Sequence, residues 1–321
     1  MGINCGILRG GALALALAGL GACDMVGPAT APPGVSAPPR PDLEPAPASE
    51  ASRQVTTYFA AQENSLRARG LMRTDGGGAD TPYGASALAS NFTRIALFNE
   101  YTDVGGRIVQ RPSPGSLRRW EGPVRLRLEF GAQVSPDTRR KDGADVAAYA
   151  SRLARATRHP ISFVGSNTSA SAANFHILVL TEDERRSIGD RLRALVPGID
   201  DQSIALIETM PISVSCLVLA FSRSGTSVYS DAITIVRAEL PDLTRLSCYH
   251  EELAQGLGLP NDSALARPSI FNDNEEFALL TGHDEGLLRI LYDARLRPGM
   301  REPEARGLIQ IIAAELRSGE S

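Results

Sequence analysis

The sequence predicts an α/β protein of the α+β kind, one mixed β-sheet with helices packed on it, and three observations predict it. First, Val124, Leu126, Leu128 and Phe130 alternate with Arg125, Arg127 and Glu129, the two-residue period of a strand with one buried face and one wet face. Second, strand-like and helix-like segments follow in the order β-α-β-α-β-β-α from 117 to 258. Third, 51–70 (ASRQVTTYFAAQENSLRARG) sets Val55, Phe59 and Leu66 on one helical face, with Gly70 as its stop.

Taken in order, 71–84 reads as a Gly-rich loop and 91–99 as an apolar extended stretch, while 100–117 has no clear period. The strand 124–130 is followed by an Arg-rich wet loop at 137–141 and an amphipathic helix over 145–157, with Val146, Tyr149 and Leu153 on its apolar side. Residues 161–164 are short and extended, and 175–180 (FHILVL) is a strong strand. Thr181-Glu182-Asp183-Glu184 resembles a capping box and opens a helix to about Val196. Strands over 213–221 and 229–236 are joined through Ser224-Gly225, and a helix runs from about Leu243 to Gly258. A C-terminal helix and tail fill 301–321.

The N-terminus is a processing signal. Arg9 precedes the apolar run 10–20 (GGALALALAGL), and Leu20-Gly21-Ala22-Cys23 has the form of a bacterial lipobox. The run is an h-region, too short to span a bilayer. Residues 1–22 are expected to leave as a lipoprotein signal peptide, with Cys23 lipidated as the first mature residue; an ordinary signal peptide cut near Ala22 is the alternative. This implies a place in the bacterial cell envelope, anchored to the membrane through lipid on Cys23 and facing the periplasm. Asp24 follows the cysteine and holds lipoproteins at the inner membrane in some bacteria, so inner and outer membrane both stay open. Residues 28–47 hold eight prolines and few large apolar side chains. The stretch 23–50 is accordingly an extended tether.

Composition narrows the function. The net charge is −4, and losing Arg9 makes it near −5. A slightly acidic chain is a poor nucleic-acid binder, so no nucleic acid is expected. Lys141 is the only lysine, which with abundant Ala, Gly and Pro points to codon bias rather than a binding signature. With Cys5 in the signal and Cys23 lipidated, Cys216 and Cys248 remain as an even pair in an oxidising compartment. A disulfide between them is expected, with two buried free thiols as the alternative.

Residues 250–262 read HEELAQGLGLPND. The segment resembles the metzincin zinc-protease motif, H-E-x-x-H-x-x-G-x-x-H, in which three histidines hold Zn²⁺ and the Glu is general base. Aligned on Gly258, the ligand positions fall on Glu251, Gln255 and Asn261, and the general base on Glu252. Ligands at i and i+4 share one helical face, and glycine at i+7 lets the chain leave the helix. Pro268-Ser269-Ile270-Phe271 resembles the Met-turn of matrixins with Phe271 in the methionine's place. Leu280-Thr281-Gly282-His283-Asp284, followed by 287–292 (LLRILY), resembles the closing matrixin helix, and 119–124 resembles the first strand of that domain. The pieces run from about 117 to 294. The chain is also similar to an uncharacterised family of proteobacterial lipoproteins known only as a domain of unknown function.

The resemblance implies a zincin-like mixed sheet with an active-site-type helix and a C-terminal helical subdomain. It divides the chain into the signal 1–22, the tether 23–50, an N-terminal helix and irregular extension over 51–116, the zincin-like domain 117–300, and the helix and tail 301–321. It also implies a binding cleft at His250, Glu251, Gln255, Asn261, Asp262 and Phe271. In this frame no zinc histidine remains. Amide oxygens are poor Zn²⁺ ligands, and Glu251, Gln255 and Asn261 would suit a hard cation such as Ca²⁺ better than zinc. No cofactor is therefore expected, with zinc or calcium as the alternative. His250 points about 100° from Glu251 around a helix and reads as a helix-face histidine. His283 reads as a solvated first-turn residue, and Glu275-Glu276 as part of a polar loop.

The functional expectation is an inactive zincin-like pseudoenzyme whose cleft binds an envelope protein or peptide. In active relatives a substrate strand pairs with an edge strand above the active-site helix, and that mode needs backbone groups rather than zinc. The alternatives are a divergent metallopeptidase or other hydrolase using Glu252, and a structural lipoprotein for envelope assembly.

Overall fold

The computed structural model describes residues 47–319 apart from 105–106 and 166–167, with the side chains of 99–112 also left aside. The signal 1–22, the lipidation at Cys23 and the tether up to residue 46 lie outside the described residues. The described residues belong to one unit.

Helix α1 (Glu50–Ala68) is capped by Ser49, whose side chain accepts from the Ser52 backbone N–H. Its buried face is Ser52, Val55, Phe59, Glu63 and Leu66, the stripe the period predicts. Helix α2 (Ala85–Ala96) corrects the extended reading of 91–99: Leu88, Ala89, Phe92, Ile95 and Ala96 recur at three- and four-residue steps and are all buried. Strands β1 (Phe98–Val104) and β2 (Arg107–Pro114) form an antiparallel hairpin where the sequence offered no period.

The main sheet begins with β3 (Val124–Phe130). Helix α3 (Pro136–Thr157) starts a full two turns earlier than expected. Ser135 caps it and Pro136 sits at its first turn, so the Arg-rich 137–141 is helix rather than loop. Strand β4 (Ile161–Phe163) is short, and β5 (Phe175–Leu180) is buried at every residue. The Thr181 capping box forms as predicted, but the helix it opens breaks after one turn. α4 (Glu182–Arg185) and α5 (Gly189–Leu195) replace the single helix expected to about Val196, and α6 (Asp201–Glu208) follows where no element is predicted. Strand β6 (Cys216–Ser222) starts later than 213, and β7 (Tyr229–Arg237) runs antiparallel to it. Helices α7 (Asp242–Gly258), α8 (Gly282–Leu291) and α9 (Glu302–Ser318) complete the chain.

The sheet order is β4-β3-β5-β7-β6, parallel except for β6 at one edge. The architecture is therefore mixed α/β, as predicted. Two cores lie on the two faces. One gathers Trp120, Val124, Leu126, Phe175 and Ile177 with Tyr149, Leu253, Leu257 and Leu288 from α3, α7 and α8. The other sets Leu178, Leu180, Ile233 and Ile235 against Leu192 of α5 and Ile204 and Ile207 of α6. The second core explains why the face of Arg127 and Glu129 is not the wet one its charges suggest. Glu129 pairs with Arg127 at 3.0 Å and Arg191 of α5 at 2.5 Å, and its side chain is only 20% exposed. A strand buried on both faces carries apolar residues at nearly every position, as β5 does.

Two buried ion-pair clusters and one buried carboxyl group tie the layers together. Glu182 faces Arg185, Arg186 and Arg237. Asp142 of α3 receives Arg245 of α7 through two nitrogens at 2.7 and 3.1 Å, and the Tyr249 hydroxyl at 2.8 Å. Asp284 accepts from Ser269 Oγ and the backbone N–H groups of Ile270 and Thr281, joining 268–271 to the start of α8.

Candidate functional site

Helix α7 places the motif. Cys248, Tyr249, Leu253, Ala254 and Leu257 face the core, so the helix is held on its apolar side. Its last turn is clamped. The Trp120 indole N–H donates to the Gly256 carbonyl at 2.9 Å, and a Cβ on Gly256 would lie 2.4 Å from Phe175 Cζ. Gly258 has φ +131°, and a Cβ there would lie 2.2 Å from the Arg118 carbonyl oxygen. The chain turns out of α7 at this glycine, the role the motif spacing assigned to it.

The disulfide Cys216–Cys248 is formed, as predicted, and ties the first residue of β6 to the middle of α7. Beside it is a small cavity of about 80 Å³ between α1, α7 and the loop before β6. Phe59, Gln62 and Leu66 of α1 form one wall, with Ser215, Thr244, Cys248, Glu251 and Glu275 around the rest. Glu63 closes α1 onto α7 by accepting from the Thr244 backbone N–H and hydroxyl.

Glu251 opens on this cavity. Burial first, then the charges of Asp262, Glu252, Glu275 and Asp273, raise its carboxyl pKa well above the ordinary carboxylate range. Burial there disfavours the anion relative to an exposed carboxyl. Glu252 is buried, and Gln255 is half-buried. His250 turns inward: its Nδ1 accepts from the Leu280 backbone N–H at 3.0 Å, and its ring stacks on Tyr149 with centroids 4.0 Å apart. Burial, with Arg152 nearby, pushes its pKa down to about 3, so it is a neutral imidazole whose proton sits on Nε2.

Asn261 and Asp262 line a different opening. This groove, of about 1020 Å³, lies between α2, α9 and the loop 261–265. Asn261 donates through Nδ2 to the Arg94 carbonyl at 3.0 Å. Phe271 is fully buried, its N–H donating to Ser269 Oγ and its carbonyl accepting from the Ser263 N–H. The structure thus sets Glu251 on the cavity under α1 and Asn261 with Asp262 on the groove, with Phe271 in the core below. His283 is not the solvated residue expected. It is fully buried, with Asn91 Nδ2 at 3.0 Å from its Nε2 and Asp284 beside its other nitrogen.

The donor set does not suit the zinc ion that the motif resemblance implies. It offers two amides and a carboxyl driven toward its neutral form, where zinc takes imidazole, thiolate or carboxylate. Among the described residues no group of three His, Cys, Asp or Glu side chains is placed to hold a metal ion.

The sequence could not reveal what lies at the sheet edge. β6 is the outermost strand, and beyond it no other strand pairs among the described residues. Leu217, Val218, Leu219, Ala220 and Phe221 are all half-buried there. Among the described residues, seven residues of uncharged strand thus leave one row of backbone N–H and C=O groups unpaired by any strand, beside α7.

The fold and the site define a mixed α/β domain with an open antiparallel edge strand stapled to a motif-bearing helix. The chain belongs to the family described as protein of unknown function (DUF2927), which it matches over residues 85–311. No curated protein matches it significantly. The family match begins after α1, so the helix that walls the Glu251 cavity lies outside it.

Proposed function

We propose that this protein is a non-catalytic binding module of the bacterial envelope, held to the membrane through lipid on Cys23, that accepts an extended peptide as an added strand along β6. The observation that carries the reading is the open edge of β6: seven residues (CLVLAFS) with no charge and no proline, antiparallel to β7 and covalently joined to α7. Backbone pairing to such an edge supplies affinity, and alternate side chains supply selectivity.

The metzincin-like resemblance supports the same reading. It places a peptide strand on a sheet edge above the motif helix, and here the one antiparallel edge strand is bonded to that helix. Binding by this route does not depend on Glu251, Gln255 or Asn261. Hydrolysis would depend on Glu252 activating water, and Glu252 is buried beside a donor set that does not suit zinc. The domain limits 117–300 and 301–321 belong to this proposal as the zincin-like body and its following helix.

The test uses a fluorophore-labelled peptide of alternating Thr and Val, matched in length to β6. The expected result is a rise in polarisation with the intact peptide recovered afterwards, slower amide exchange along 216–222, and no change in chelator. Cleavage of the peptide that stops in chelator would instead establish a metallopeptidase. Absence of binding by the dilute protein, where no second copy competes for the edge, would remove the strand-addition reading.

A further inference from the structure

The two edges of the sheet are treated differently. β4 ends one side with only three residues, Ile161–Phe163, a length that offers little to pair with. β6 ends the other with seven residues. Its text, CLVLAFS, contains none of the usual guards: no lysine or other charge, no proline and no inward-pointing ion. Its one irregularity in the pairing with β7 falls at the very end, between Phe221 and Ser222. A long, uncharged, half-exposed edge of this kind is a template that a working protein keeps covered.

The chain's own residues 28–47 are ill suited to be the covering strand. Residues 28–47 carry eight prolines, and each removes a backbone donor that a ladder needs. We infer that the occupant is β6 of a second copy, the two copies pairing antiparallel about a two-fold axis at Leu219. This rests on the reading of β6 as a strand-addition edge and names the partner that fills it.

The register follows from the residues. Antiparallel pairing about Leu219 sets Leu217 opposite Phe221, Val218 opposite Ala220, and Leu219 opposite itself. Every pair in the centre is apolar. Leu217, Leu219 and Phe221 pack on the core shared with α5 and α6, and Val218 and Ala220 on the core shared with α7. Each facing pair therefore extends an apolar layer already present on its side of the sheet. Beyond the strand, Arg223 falls opposite Ser215 of the second copy. A parallel arrangement in register would stack Arg223 on Arg223, which like-charge repulsion disfavours. The antiparallel contact is isologous, so it closes at two copies and joins two five-stranded sheets into one.

A strand edge buries less than the about 1,600 Å² of a standard interface, so the dimer is expected to dissociate on dilution. Sedimentation of the purified protein across a concentration series reads the mass. Leu219→Cys places one thiol on the proposed axis, where directly opposed strand residues lie about 4.5–5.5 Å apart at Cα, within disulfide reach. Thr226→Cys in the turn after β6 is the control, far from that axis. Amide exchange along 216–222 in the unmodified protein, dilute and concentrated and with the Thr-Val peptide, stands independently of whether Leu219→Cys folds.

The expected result is a doubled mass that falls on dilution and a Leu219–Leu219 position cross-link mapped by mass spectrometry. Thr226→Cys should give none, and exchange should slow with concentration. A monomer at every concentration whose β6 amides slow only when the peptide is added would overturn the second-copy inference and leave strand addition standing. A monomer indifferent to the peptide would overturn both. A dimer that cross-links through Thr226→Cys and not Leu219→Cys would place the contact elsewhere and overturn the inference.

Discussion

Replacing Gly258 with alanine tests whether the turn out of α7 is held by backbone geometry. At φ +131° a side chain is strained by about 1–3 kcal/mol. The new Cβ would also meet the Arg118 carbonyl oxygen at 2.2 Å and Leu291 Cδ2 at 3.1 Å. Backbone cannot swing aside as a side-chain tip can, so relieving the contact costs about 1–3 kcal/mol more. Alanine restricts the unfolded chain and returns about 0.4–1 kcal/mol. The net expectation is a loss of about 1–6 kcal/mol, a large part of the about 5–15 kcal/mol that holds a domain together. Gly307 provides the opposite case. It is exposed inside α9 with nothing within 4 Å of its would-be Cβ, so Gly307→Ala is expected to stabilise by about 0.5–1 kcal/mol. Urea unfolding can be followed through Trp120, the only tryptophan, which is buried and bonded to the last turn of α7. An unchanged midpoint in Gly258→Ala, with an unchanged slope, would refute the argument from backbone geometry.

Three further outcomes follow from the interior. Removing the disulfide with Cys216→Ser and Cys248→Ser frees a loop spanning a sequence separation of 32, and should lower stability by about 4 kcal/mol in non-reducing urea titrations; reductant should then lower the parent protein but not the variant. His250 has its folded pKa depressed to about 3 against an ordinary 6.5, so the unfolded chain takes up the proton first. Its contribution is complete above pH 6.5 and is lost as pH falls toward 3, up to about 5 kcal/mol; urea midpoints should fall less steeply with acid in His250→Gln. Arg245→Met leaves Asp142 buried with only the Tyr249 hydroxyl from α7, and should cost about 3–5 kcal/mol by thermal or urea unfolding. The double variant Asp142→Leu with Arg245→Met should recover much of that loss, and no recovery would contradict the uncompensated-charge account.

Local chemistry was legible and placement was not. The alternation from Val124 to Phe130, the capping box at Thr181, the α7 boundaries and the Cys216–Cys248 pair each depend on neighbours in sequence or on the parity of cysteines, and each is present. α2 was misread because its apolar residues, taken together, look like a run; the three-to-four-residue step matters only once α9 lies against it, some two hundred residues on. Glu129 reads as wet in sequence because its cover, Arg191, lies some sixty residues on, in α5. The apolar texts of β5 and β6 are alike, yet one is central and one is outermost, since strand order is a property of topology rather than of composition. His283 looked solvated at a helix start, and its burial comes from Asn91 of a helix that had not been recognised. The glycine turn at Gly258 was legible, whereas the placement of Glu251 on a cavity walled by α1, and of Asn261 and Asp262 on a groove walled by α2 and α9, depends on segments remote in sequence.

Helix α1 has a mechanical consequence. It is the first element of the described residues; Val55 and Phe59 lie in the main core and Glu63 grips the opening turn of α7. A pull applied at the start of α1 therefore meets the core directly. It is delivered as a load along α1 to the first turn of α7, the same rod that the disulfide rivets to the outermost strand.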